Sequence, residues 1–420
     1  MEKISPYKCL IASQLIYWVL FFVGPYKHTI YGYTGLLYVL LVFGLFAMSC
    51  YMGERTGKLY KKEKYTITIT KGAEIFLLLV EAVSVAAFLV YMWEVIHLPI
   101  PGGYRFAADD YRDILSLHRS TVNKIAEITM FSGTAAYLIV SRIPKCNYRI
   151  TKLVSVGVLF TPAVAILGVG GRSRVVTSIG LFVIVVTLNH FQAVKEKIKA
   201  RKKQWGKIII CVGIIGILGY FTLSLFSTRG IYTAPEQYLF YSGDIKIRPV
   251  YDKLYSATHG MVNPLYKASL YFTHSIPVFT KVYSELWSVS KHYGALLFYL
   301  EGYILRLMGI PFPDYVEIAM ESPAAGWYST FITGYVQDWG IVGTLFMVIA
   351  TGFLFGRLAH NAYKKKVGFY LMPIIIFMCM VSPIYYFWHM GWENVLLFFP
   401  AIYFFSRKLG LKAERQEDDE

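Results

Sequence analysis

Charge is what this sequence has least of. Only 16% of its 420 residues are Asp, Glu, Lys or Arg, against about a quarter in a soluble domain, and the shortage points to lipid. Cysteine is scarce too. The five thiols, Cys9, Cys50, Cys146, Cys211 and Cys379, include no CxxC pair. They fall in apolar blocks or, for Cys146, in a short basic loop, so neither disulfides nor a thiolate metal site is expected. No GxxxxGK[ST] phosphate loop occurs, so nothing resembles an ATP site. Repeats and low-complexity segments are missing. The first apolar block lacks a small-residue cleavage site after it, so it reads as a retained helix rather than a signal peptide.

What is present is apolar: 56% of residues are hydrophobic and 17% aromatic. Blocks such as Leu36 to Ala47 belong to runs long enough to cross a hydrocarbon core of about 30 Å. Backbone groups in lipid must bond within their own segment, which makes these runs helices, and the short alternating strands of a barrel are not seen. The expected fold is all-α: a polytopic bundle of about ten transmembrane helices. They are placed at roughly 9–23, 33–51, 72–96, 122–141, 152–170, 175–192, 208–227, 331–356, 368–387 and 393–406. Residues 1–226 then hold seven helices with a first outer loop at 97–121. Residues 227–326 form a large outer loop, 327–406 hold three more helices, and 407–420 form a tail whose acidic end, Glu414–Glu420, is expected to be disordered.

The net charge of +16 is carried in short loops: Lys58 to Lys64, Lys195 to Lys207, Arg357 with Lys364 to Lys366, and Arg407 to Arg415. Each abuts an apolar block, which is the positive-inside pattern and puts both termini in the cytoplasm. Nucleic acid is not an expected partner, because these lysines lack aromatic interleaving or a reading motif.

Candidate chemistry gathers on the opposite, outer side. Gly170-Gly171-Arg172-Ser173-Arg174 forms a tight outer turn, where two arginines are costly unless they meet an anion or water. Glycines let backbone N–H groups approach the same anion, so the turn reads either as a diphosphate site or as snorkelling arginines at a helix end. Ser227-Thr228-Arg229-Gly230 adds a third guanidinium at that depth, and the planar group suits bidentate contact with phosphate. Its alternative is an arginine answering the helix dipole. Arg248 and Arg306 are candidates to join them.

The long loop is functional or carries its own structure. It holds His259, His274, Asp244, Asp252, Glu285, Glu301, Asp314, Glu317 and Glu321, any of which suits a general base; His259, beside Gly260, is the first choice. Tyr293 to Ile310 reads as a packed or re-entrant helix rather than a span. In the first outer loop, Asp109-Asp110 reads as part of a charged surface helix with Arg112 and Arg119, in preference to a metal site. Glu74 and Glu81 share a face of the third helix. Glu74 is expected to reach water at the cytoplasmic end, leaving Glu81 as the candidate for structure or proton coupling. Trp388, in Trp388-His389-Met390-Gly391-Trp392-Glu393, reads as an interfacial anchor with sugar contact as an added role.

The Gly-Gly-Arg-Ser turn, the later Thr-Arg-Gly, the long outer loop, Trp327-Tyr328-Ser329-Thr330 and Gly334-Tyr335-Val336-Gln337-Asp338-Trp339-Gly340-Ile341-Val342-Gly343 together resemble the O-antigen polymerases (Wzy-type) that join oligosaccharide repeat units. The resemblance spans roughly residues 150–360, and the order of the motifs carries it. It implies a fold like the membrane glycosyltransferases of the C type (GT-C), in a bacterial inner membrane, with the active site on the periplasmic face. It implies transfer of a growing glycan from undecaprenyl diphosphate to the non-reducing-end hydroxyl of a new lipid-linked unit, as in lipopolysaccharide biosynthesis. Arg172 and Arg229 match the family's outer arginines and would neutralise the leaving diphosphate, with Arg174 assisting; Asp338 reads as structural. No cofactor or metal is implied. Lipid-linked oligosaccharides, membrane lipids, a chain-length regulator and a flippase are the implied partners. An O-antigen ligase would share these arginines and this loop. A transporter of the lipid-linked unit would show related halves and interrupted helices; no such symmetry is seen, and a loop of about 100 residues on one side is unusual for that class.

Overall fold

The computed structural model describes residues 5–56, 65–97, 120–168, 173–195, 246–258, 262–313, 318, 321, 323, 330–362, 364–384 and 392–415. These residues are mostly helical. In chain order the main helices are α1 (Pro6–Val23), α2 (Tyr33–Arg55), α3 (Lys71–His97), α4 (Thr121–Val140), α5 (Thr151–Leu159), α6 (Thr161–Gly168) and α7 (Ser173–Lys195). The described part of the long loop contributes α8 (Pro249–Ala257), α9 (Asn263–Thr273), α10 (Ser275–Val282) and α11 (Tyr299–Leu307). The chain closes with α12 (Phe331–Ala362), α13 (Val367–Val381) and α14 (Trp392–Lys408). Four of these, α1, α2, α3 and α12, are long and apolar enough to cross a membrane. The expected span at 208–227 lies outside the described residues, as does most of the first outer loop.

Burial follows from what each helix must hide. From Met130 to Val140 every residue of α4 is buried, and so is every residue of α13 from Gly368 to Cys379. A helix that is apolar all round belongs in the centre. The flanking helices instead present apolar surface outward: Leu15, Val19 and Phe22 on α1, Leu79 and Val83 on α3, Phe346 on α12. In water such patches would be a liability; against lipid they are the solvated face. The most extensive contact joins α2 to α12. A Cβ on Gly352 would come within 2.0 Å of Ser49 Oγ, and one on Gly356 within 2.1 Å of the Cys50 carbonyl. This is the small-xxx-small packing that brings helix backbones together.

Three expectations change. The single helix at 152–170 is two, broken at Phe160 just before Thr161-Pro162, because Pro162 has no N–H to carry the hydrogen-bond ladder across the junction. Helix α13 stops at Val381 rather than 387, with Pro383 two residues on. The fold is also not purely helical, nor is the start of the acidic end loose. Tyr65–Thr68 (β2) pairs antiparallel with Lys412–Arg415 (β4), Thr66 opposite Glu414. A second short ribbon joins Tyr26–Lys27 (β1) to Lys246–Ile247 (β3).

These contacts sort the bundle into two ends. At one, β2 meets β4, Thr70 bonds Leu409, and Arg357 donates to the Thr56 carbonyl; we call it the basic end. At the other, β1 meets β3, Tyr17 Oη bonds the Thr273 carbonyl at 2.8 Å, and Ser120 caps α4 while bonding Glu94; we call it the loop end. The segment at 293–310 yields α11, nine residues long and too short to span a bilayer.

Candidate functional site

Helix α4 reaches the loop end carrying Lys124, Glu127 and Phe131, three and four residues apart and therefore on one face. Arg174, the second residue of α7, forms an ion pair with Glu127, and its Cζ stands 5.1 Å from the centre of the Phe131 ring. Both side chains are largely buried, at 16% and 18% exposure. A guanidinium there is held by a carboxylate and by the negative face of an aromatic ring at once. One turn nearer the N-terminus of α4, Lys124 Nζ lies 5.9 Å from the Tyr303 ring. Arg306 Cζ lies 5.9 Å from the same ring. Arg174, Lys124 and Glu127 thus share one flank of α4, and Tyr303, which meets Lys124, belongs to the helix that carries Arg306. Beside its first turn an open groove of about 640 Å³ is lined by Leu89, Val90, Trp93, Glu94, His97 and Val122.

The structure brings Arg174 to α4, carries Arg306 on the helix whose Tyr303 meets Lys124, and places Arg248 elsewhere. The Arg248 N–H bonds the Pro25 carbonyl at 2.9 Å, and its Nη2 bonds the Phe21 carbonyl at 3.3 Å. It closes the carbonyl end of α1, a position that favours a cation. His28 sits in the same corner, stacked on Phe21 at 5.1 Å with Nε2 2.7 Å from Thr273 Oγ1. Burial, with His274 and Arg248 nearby, pushes its pKa down to about 3, so the ring is neutral at physiological pH. The Thr273 hydroxyl already donates to the Ser269 carbonyl at 2.7 Å, so it accepts from His28 Nε2–H, which leaves Nδ1 bare. Arg172, Arg229, His259 and Trp388 lie outside the described residues, as do Asp109, Asp110, Asp244, Asp314 and Glu317.

The Asp338-Trp339-Gly340 segment is a clip. Gly340, at φ 69° and ψ 175°, breaks α12 in a region of backbone space that is essentially glycine's alone. The fully buried Asp338 carboxylate accepts the backbone N–H groups of Leu296 and Leu297, each at 2.9 Å. The Asp338 and Gln337 carbonyls accept those of Tyr293 and His292 at 2.7 and 3.1 Å. His292 Nε2 in turn lies 3.0 Å from Glu321. This fastens the chain leading into α11, and with it Arg306, to the bundle.

Two carboxylates of α3 differ from each other. Glu74 does not reach water: it is fully buried and accepts Asn147 N–H at 2.6 Å, Tyr148 N–H at 3.0 Å and the Thr151 hydroxyl at 2.5 Å. It organises the turn that starts α5. Glu81 is equally buried, beside the Ser155 hydroxyl, and among the described residues neither of its oxygens meets a donor in good hydrogen-bond geometry. The remaining loop candidates are spread out: Asp252, Glu285 and Glu301 are exposed, and His274 is buried with Nδ1 bonded to the Leu270 carbonyl at 2.8 Å.

Lys124, Glu127 and His28 were not singled out from sequence. The signal for the first two was there: ionisable residues in an apolar helix are functional candidates by default, and their spacing with Phe131 makes one stripe. His28 left no such trace, since only folding brings residues 248 and 273 beside it. No family model, curated protein or solved structure matches this chain.

Proposed function

We propose that this protein is a membrane glycosyltransferase that polymerises undecaprenyl-diphosphate-linked oligosaccharide repeat units at the outer face of a bacterial inner membrane. The observation that carries the reading is the placing of Arg174 and Lys124 along α4, beside the helix that carries Arg306, with Arg174 following directly on the sequence Gly170-Gly171-Arg172-Ser173. Cations held in a low-dielectric setting stabilise a diphosphate leaving group far better than the same charges in water. The groove at Leu89, Val90 and Trp93 offers apolar surface to an isoprenoid chain, and the clipped outer segment offers a platform for sugar.

In this reading the acceptor hydroxyl oxygen attacks the donor's anomeric carbon. The bond from that carbon to the diphosphate breaks, and the hydroxyl proton passes to a base, for which His259 is the candidate. Arg172 and Arg229 join Arg174 at the diphosphate. The test is to incubate purified protein with a synthetic undecaprenyl-diphosphate repeat unit and resolve products by size. A ladder of longer lipid-linked glycans, insensitive to chelator and reduced at least ~100-fold in Arg172→Ala or Arg174→Ala, as for loss of an oxyanion-type donor, is expected. Absence of a ladder with the cognate unit overturns the proposal.

A further inference from the structure

At the basic end, one cation is buried where no carboxylate among the described residues balances it. Arg142 follows the end of α4 and is 6% exposed. Nη1 bonds Asn189 Oδ1, and the Cζ stands 4.0 Å from the centre of the Phe369 ring, in the first turn of α13. Nε is buried with no partner, and among the described residues no carboxylate pairs with this guanidinium. Burial pushes its pKa down to about 10, which leaves it charged at neutral pH. The N-cap of α13 is Lys366, whose side chain makes no capping bond, so the positive end of that helix adds to the same corner.

A second guanidinium stands nearby. Tyr370, buried one turn into α13, lies within electrostatic reach of both Arg142 and Arg407. Its ring is 5.5 Å from that of Tyr403, which neighbours Arg407 on α14. Tyr403 is half-buried and Arg407 is exposed, so the corner opens toward Arg407 and closes on Arg142. Two planar guanidinium groups and two phenol hydroxyls form a donor set that matches a tetrahedral oxyanion. An arginine cannot shed its proton to relieve burial as a lysine does, or take one up as a carboxylate does. Among the described residues no carboxylate meets that charge, and an anion that comes to the corner would.

We propose that Arg142, Tyr370, Tyr403 and Arg407 form a receptor for a phosphate group at the basic end of the bundle. The phosphate is carried either by an anionic lipid headgroup or by a small phosphate in solution. The inference does not rest on the transferase reading: it concerns the opposite end of the molecule and uses none of the same residues.

The experiment is native mass spectrometry of the delipidated full chain. It is titrated with phosphatidylglycerol, with phosphatidylcholine as the zwitterionic control, and separately with inorganic phosphate. Binding of one phosphatidylglycerol at least tenfold tighter than phosphatidylcholine, weakened at least tenfold in Arg407→Gln, assigns a lipid. Binding of inorganic phosphate with the same arginine dependence, and no preference for phosphatidylglycerol, assigns a soluble phosphate. Arg407 is exposed, so its variant keeps the fold. Arg142→Lys retains the charge but loses the planar fork, and is expected to weaken binding by a similar factor. Equal binding of the two lipids with no phosphate adduct, or binding that neither variant alters, overturns the proposal.

Discussion

Replacing Asp338 with alanine should release the segment that leads into α11 without unfolding the bundle. The carboxylate is the acceptor for two backbone N–H groups, Leu296 and Leu297. Both lose their partner in Asp338→Ala. A buried donor left unsatisfied costs about 1–3 kcal/mol. Leu296 is buried and Leu297 half-buried, so the lower half of that range applies to each, for about 3 kcal/mol together. Because the carbonyls of Gln337 and Asp338 still hold His292 and Tyr293, the loss falls on local opening rather than on the global transition. At ~1.4 kcal/mol per factor of ten, amide exchange at Leu296 and Leu297 should accelerate roughly a hundredfold. Hydrogen exchange read by mass spectrometry on peptides covering 291–307 measures this directly, with α4 peptides as the internal reference. Asp338→Asn keeps one acceptor oxygen and should give about half the free-energy change. Exchange within about threefold of the parent protein, less than ~0.7 kcal/mol, would refute the clip. So would equal acceleration in α4.

The neutral, half-buried His28 gives a pH signature. Its pKa is about 3 in the folded chain against an ordinary 6.5, so the unfolded chain binds the proton first. Stability is complete above pH 6.5 and falls by up to ~1.4 kcal/mol per pH unit as pH drops toward 3. Thermal unfolding in detergent across that window should show this slope in the parent and lose it in His28→Gln; equal slopes count against the reading. Gly340→Ala should lower the melting temperature by the equivalent of about 1–3 kcal/mol, since a Cβ is strained at that backbone geometry; an unchanged melting temperature contradicts it. Glu127→Gln should cost about 2 kcal/mol, less than a fully buried pair because both partners keep some exposure. Arg174→Met combined with Glu127→Gln should cost little more than the costlier single change. Additive losses would mean that the two side chains act independently.

Local chemistry was enough for the helical character of this chain. Lipid leaves a backbone no partner but itself, so α1, α2, α3 and α12 could be read from runs of apolar residues alone. The same logic misjudged what local signals do not govern. The break at Phe160 needed attention to Pro162, and the last strand, 412–415, forms only because Tyr65–Thr68 offers an edge some 340 residues earlier in the chain. An acidic tail has no intrinsic reason to be ordered. The site divides in the same way. Arg174 was a candidate because a cation among apolar residues is costly wherever it lies. Its meeting with Glu127 and Phe131 depends on the start of α7 reaching α4, and Arg306 is carried by a segment that Asp338 clips in place. Asp338 and Glu74 show the rule at its simplest. Each is one carboxylate in an apolar helix, and nothing local says whether it faces water, a ligand or a neighbouring backbone. Burial sets the cost of an unpaired charge, which sequence conveys; geometry selects the partner that removes the cost, and only the folded chain supplies that.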